Sequence, residues 1–127
     1  MYTFKDLTDV VTKLRAEEGG CPWDKEQTFE SLKTYLGNES REVMEAVDNR
    51  DMKNLCEELG DVLFQVMIYS QIGKEKGLFT IDDVIDGICR KMIYRHPHVF
   101  GNVKVNSAEE CNVLWQELKK TENGKKP

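Results

Sequence analysis

Stretches in which apolar and polar residues alternate are almost absent from this sequence, which argues against a protein built from sheets. The four cysteines, Cys21, Cys56, Cys89 and Cys111, lie far apart, so there is neither a C-x-x-C redox pair nor a cysteine-based zinc module. Thiols inside helical segments act as small apolar groups, and this usage fits a reduced, cytoplasmic setting. No apolar run approaches the length of a bilayer span; the longest, Val62 to Tyr69, is interrupted by Gln65. The opening residues carry Lys5, Asp6, Asp9 and Lys13 within their apolar pattern, which no signal-peptide core does, so no membrane partner is expected. Positive charge is not in excess either. A formal net charge of −5 is the wrong sign for a nucleic-acid partner, which calls for a basic face.

What is present is helical. With 127 residues, 39% hydrophobic and 32% charged, the chain suits one soluble, charge-rich domain. Apolar spacing predicts five segments. The first runs from Thr3, an N-cap residue, to Glu18, with Phe4, Leu7, Val10, Val11 and Leu14 on one face. Gly19-Gly20 stops it, and Cys21-Pro22-Trp23-Asp24 reads as a loop in which Trp23 and Asp24 either border a pocket or simply pack. The second segment covers Thr28 to Asp48 with a bend expected at Gly37, and Asp48 to Asp51 forms a turn. The third, Asp51 to Lys76, aligns Leu55, Leu59, Val62, Leu63 and Val66 and is closed by Gly77. Thr80 caps a fourth that ends before Pro97, and Ser107 with Glu110 gives a capping-box signature for the fifth. The reading is an all-α helical bundle over residues 1–122, with a flexible tail at 123–127.

Two pairs of acids carry the chemistry. Glu39 and Glu42 are three residues apart on the second segment, and Glu58 and Asp61 are three apart on the third. That spacing puts both members of a pair on one helical face. A short turn makes the two helices antiparallel neighbours, so the pairs can oppose each other. Both pairs border apolar stripes. Burying unpaired carboxylates is costly, so such a cluster calls for cations or gives up its charge. Oxygen ligands without a nearby histidine favour Mg²⁺, with Mn²⁺ as a substitute, over zinc. Against this stands the plainer account, a solvated charged face with Arg41 and Lys53 as partners.

Basic residues supply a second half. Lys91 and Arg95 are four apart at the end of the fourth helix, and Lys119 follows Trp115 by four on the fifth. They can hold phosphate oxygens, with Trp115 offering a flat face to a base. They can equally complement a helix dipole and fill a core stripe. His96 and His98 flank Pro97 as a possible two-histidine site or as a helix cap.

The blocks CPWDKEQTFESLKTYL, Glu39-x-x-Glu42, EELGDVLFQV and RHPHVFG, in this order and spacing, resemble the MazG family of nucleoside triphosphate pyrophosphohydrolases from about residue 4 to residue 120. The resemblance implies an all-α fold with a four-helix core that binds Mg²⁺, in a homodimer or a dimer of dimers. It implies hydrolysis of an NTP or dNTP between the α- and β-phosphates, giving the monophosphate and pyrophosphate. Glu39, Glu42, Glu58 and Asp61 match the metal ligands, with Glu39 and Glu42 the candidates for activating water. Lys91, Arg95, Trp115 and Lys119 match positions that contact triphosphate or base. The chain departs from the family pattern at Asn38, where a second glutamate often precedes Glu39, and at Asn54, where a lysine is usual. A specialised pyrophosphatase for dUTP, dCTP or phosphoribosyl-ATP, and a catalytically silent dimer that binds nucleotide or protein, are the alternatives.

Overall fold

The computed structural model describes the backbone of residues 1–125 and the side chains of residues 1–121, and it contains no strand among them. Seven helices follow one another: α1 Phe4–Leu14, α2 Pro22–Glu26, α3 Lys33–Asp48, α4 Met52–Glu75, α5 Ile81–Arg95, α6 Pro97–Phe100 and α7 Ala108–Lys125. They divide into two compact units, Met1–Ile81 and a second that begins at Asp82.

In the first unit, local chemistry sets the helix ends. Thr3 and Asp6 form a reciprocal capping box at α1: the Thr3 backbone N–H donates to Asp6 Oδ2 at 2.7 Å, and the Asp6 N–H donates to Thr3 Oγ1 at 3.3 Å. The helix stops at Leu14, earlier than its apolar pattern suggests. Cys21-Pro22-Trp23-Asp24 is not a loop. Proline at the first helical position, where its missing N–H costs nothing, starts the five-residue α2. Arg15 holds this segment in place: Nη1 donates to the carbonyls of Asp24 (2.6 Å) and Gln27 (3.1 Å), while Nε and Nη2 grip Glu75 at 2.9 and 2.8 Å.

Helix α3 starts at Lys33, five residues later than Thr28, because 28–32 are taken up by turns in which Thr28 and Ser31 bond each other. The expected bend at Gly37 is absent; the helix passes through it. Asp51 caps α4, its carboxylate accepting from the Asn54 N–H at 3.1 Å, and Gly77 ends it at φ +68. Helices α1 and α3 both pack on α4. The core comprises Val11, Leu32, Met67, Ile68 and Ile72, with Leu7, Phe29, Phe64, Tyr69 and Ile81 against it. Burying each of the large ones stabilises the unit by about 1.5–3 kcal/mol. Phe29 stacks between Tyr69 and Phe79 at centroid distances of 6.1 and 6.3 Å. Leu59 and Leu63, expected on the apolar stripe of the third segment, are about half exposed, as is Val47.

The second unit contains most of α5, then α6 and α7. Arg95 lies over the Trp115 ring, 4.9 Å from its centroid, and the His96 ring meets Trp115 edge-on at 5.3 Å. The four-residue α6, starting with Pro97, occupies the stretch after the predicted end of the fourth helix. At α7 the Glu110 N–H donates to Ser107 Oγ at 3.1 Å, as the capping signature predicts. Helix α7 continues to Lys125, past the expected boundary at 122; tail residues 126–127 lie outside the described residues.

Candidate metal centre

The short turn through Asn49, Arg50 and Asp51 folds α4 back along α3, and the two acidic pairs meet. Glu39, Glu42, Glu58 and Asp61 each offer a carboxylate oxygen within 4.8 Å of the others. The three glutamates are half-buried and Asp61 is exposed, so the cluster has one open side. Among the described residues it is the one group of His, Cys, Asp or Glu side chains large and close enough to share an ion.

Among the described residues no cationic side chain neutralises it. Arg41 turns instead to Asn38 Oδ1 at 3.1 Å and to Glu45 at 3.6 Å, and among the described residues no ion pair reaches the four acids. Glu39 and Glu58 each bury an oxygen, Oε2, that has no hydrogen-bond partner. The electrostatic consequence is a raised affinity for protons. A hydrogen bond with Glu42, then desolvation and the charges of Glu42 and Asp61, push Glu58 up to about 7. Glu39 is raised as well, first by desolvation and then by the charges of Glu42 and Asp61. Four crowded carboxylates with two unpartnered buried oxygens and no histidine are a donor set suited to a hard divalent cation.

The basic residues belong to the second unit. Arg95 is buried and lines a cavity of about 290 Å³ with His98, Cys111, Asn112, Trp115 and Gln116. Neither Lys91, which is half-buried, nor Lys119, which is exposed, lines it. His96 Nδ1 lies 2.6 Å from the Met92 carbonyl, which only accepts, so that nitrogen carries the proton and is no metal ligand. His98 Nε2 faces Cys111 Sγ at 3.8 Å. All four cysteines are free thiols.

Two residues near the acids escaped the sequence reading. Gln65, one turn beyond Asp61, is 7% exposed and its Oε1 has no partner. Its one signal in the sequence is that it breaks the most apolar run. Tyr35, one turn before Glu39, is exposed and meets Trp23 edge-on with centroids 5.3 Å apart.

The sequence profile of the MazG nucleotide pyrophosphohydrolase domain matches residues 27–100, a stretch that includes the four acids, Lys91 and Arg95. The chain is 48% identical over 121 residues to YabN of Bacillus subtilis, covering 95% of this chain and 24% of that protein. It is 47% identical over 123 residues to the nucleoside triphosphate pyrophosphohydrolase/pyrophosphatase MazG of Thermotoga maritima, covering 97% of this chain and 46% of the other. Identity is 40% over 120 residues to the nucleoside triphosphate pyrophosphohydrolase of Escherichia coli K12, with 94% and 46% covered. The chain thus spans less than half the length of these relatives. In three dimensions it resembles the crystal structure of a mazG-related protein from Thermotoga maritima, with a TM-score of 0.74, 31% identity, and 91% of this chain and 98% of that one covered. No helix among the described residues is long and apolar enough to cross a membrane.

Proposed function

Because the chain belongs to the MazG nucleotide pyrophosphohydrolase family, we propose that it hydrolyses nucleoside triphosphates, NTP or dNTP, to the monophosphate and pyrophosphate in a Mg²⁺-dependent reaction. The observation that carries this reading is the meeting of Glu39, Glu42, Glu58 and Asp61, with two buried oxygens that lack partners. These four residues would hold Mg²⁺, or Mn²⁺ in its place. The ion would screen the phosphate charge and make a water more acidic.

Glu39 or Glu42 orients that water and accepts its proton. Its oxygen forms the new bond to the α-phosphorus, the bond from that phosphorus to the α,β-bridging oxygen breaks in line, and pyrophosphate leaves. Lys91, Arg95, Trp115 and Lys119 contact the triphosphate or base, the cations opposing charge on the departing group. The protein works as a homodimer or a dimer of dimers in the cytoplasm; Leu59 and Leu63 on α4, and Val84, Ile85 and Ile88 on α5, are exposed apolar positions that a second copy would cover.

The direct test is incubation with each common NTP and dNTP, with and without Mg²⁺, followed by measurement of pyrophosphate. Mg²⁺-dependent pyrophosphate and monophosphate support the assignment. Orthophosphate as the first product, or silence across the panel, overturns it.

A further inference from the structure

The second unit brings together a nucleophile and an imidazole that the proposed reaction does not use. His98 Nε2 lies 3.8 Å from Cys111 Sγ, and both residues line the cavity of about 290 Å³ beside Arg95 and Trp115. That volume is near the lower end for small-molecule sites. The cavity opens to solvent, none of its lining residues is acidic, and the buried Arg95 gives it a guanidinium. Among the described residues, Cys111 is the one cysteine whose sulfur has a hydrogen-bond partner. Cys56 and Cys89 are exposed without one, and Cys21 is half-buried without one.

The imidazole gives that contact a direction. His98 Nδ1 is buried and has no hydrogen-bond partner. A neutral ring carries one N–H. On Nδ1 that proton would be a buried donor left unmade, a rarer fault in folded proteins than an acceptor left bare. The proton therefore belongs on Nε2, directed at the Cys111 sulfur. The same point argues against a metal on this pair. A histidine that binds an ion through Nε2 keeps its proton on Nδ1 and donates it to an acceptor, and His98 Nδ1 has none. An N–H held against sulfur supports the anion through which thiols attack. The Arg95 guanidinium lining the same cavity favours reagents that carry negative charge.

We propose that Cys111 is a redox modification site, which takes up a small carboxylate-bearing thiol by exchange with the corresponding disulfide. Cys111 releases its proton to solvent, and Sγ attacks one sulfur of the reagent. The new Sγ–S bond forms as the reagent's own S–S bond breaks, and the other half leaves as a thiolate that takes up a proton. Cys111 is oxidised and the departing half is reduced. The attached group then lies in the cavity beside Arg95 and Trp115, which the proposed function assigns to nucleotide, so the modified protein is expected to turn over more slowly. That consequence rests on the proposed function; the modification does not.

Two disulfides of similar size test this on the full chain: dithiodipropionate, which is anionic, and cystamine, which is cationic. Peptide mass spectrometry follows adducts at all four cysteines with time. Cys111 is expected to react with dithiodipropionate about three- to tenfold faster than Cys56 and Cys89, the worth of one neutral hydrogen bond, although those two are more exposed. Its preference for the anionic reagent should also exceed theirs. His98→Phe should slow Cys111 by the same factor and leave Cys56 and Cys89 unchanged, while His98→Gln, which can still donate from a similar position, restores much of the rate. Cys111 no faster than the exposed thiols, equal anion preference at every site, or a rate untouched by His98→Phe overturns the proposal. Treated wild type should lose triphosphate turnover and regain it with dithiothreitol, whereas Cys111→Ser keeps it throughout. A Cys111 adduct that leaves turnover intact overturns the consequence for activity. A wild type without turnover overturns the proposed function, and the labelling rates still decide the site.

Discussion

Glu39 and Glu58, on two helices joined by a three-residue turn, each bury an unpartnered Oε2, and the two groups bring carboxylate oxygens within 4.8 Å of each other. Two like charges held this way are favourable only when a proton or a cation stands between them. The metal-free protein therefore has a particular response to pH. Both groups are raised above 4.5, Glu58 to about 7, so the folded chain binds more protons than the unfolded chain between those values. Where the folded state binds more protons, stability falls as pH rises. The contribution of these groups is best below about 4.5 and declines through about 7. Glu58→Gln should accordingly raise the Tm of chelator-treated protein at about pH 8 and have little effect at about pH 5, as thermal melts will reveal. A variant less stable than wild type at the higher pH would contradict the assignment.

Cation binding reverses that order. Saturating Mg²⁺ at a hundredfold excess over its Kd should stabilise the wild type by about 2.7 kcal/mol. Glu42→Gln should lose most of that shift and nearly all turnover while keeping its helical circular dichroism. Apparent Mg²⁺ affinity should also drop as pH falls below about 7, because Glu58 must release its proton to serve as a ligand. Titrations at several pH values check this.

Arg15 and Glu75 give a second pH dependence with the opposite sign. The Arg15 hydrogen bonds hold Glu75 below the ordinary carboxylate range. Its stabilisation is complete above about 4.5 and is lost as pH falls through the lowered value. Removing either partner is not equivalent. Glu75 is about a third exposed, so Glu75→Gln should cost under about 1 kcal/mol. Arg15→Ala also leaves the Asp24 and Gln27 carbonyls without their donor and should cost about 2–4 kcal/mol. Denaturant midpoints of the two variants will rank them.

Two helical glycines respond oppositely to alanine. A Cβ at Gly73 would lie 2.8 Å from the Phe79 ring, which is part of the aromatic stack on Phe29. Gly73→Ala should destabilise by about 1–3 kcal/mol despite better helix propensity. At Gly37 a Cβ meets nothing within 4 Å, and Gly37→Ala should stabilise by about 0.5–1 kcal/mol. Equal effects in urea melts would refute the packing argument.

Much of this was legible in the sequence where the signal is periodic or local. Asp51 and Gly77 bound α4 where turn chemistry places them, and the spacing of the acids, with a short turn between their helices, was enough to predict that they meet. Helix α2 was not legible, since five residues complete too little of a period to reveal a face. Leu59 and Leu63 show another limit: spacing identifies an apolar stripe but not what covers it, and in this chain they are about half exposed. The role of Arg15 leaves no local signal in the sequence, because its partners, Glu75 above all, are distant along the chain. Gln65 looked like an interruption of an apolar run, and its burial without a partner for Oε1 shows only in three dimensions.

All four acids sit on the hairpin made by α3 and α4, between residues 39 and 61. The acidic cluster is thus encoded as one uninterrupted cassette. Duplication, fusion to another protein, or a new chain end outside that hairpin can rearrange everything around it without parting one acid from the next.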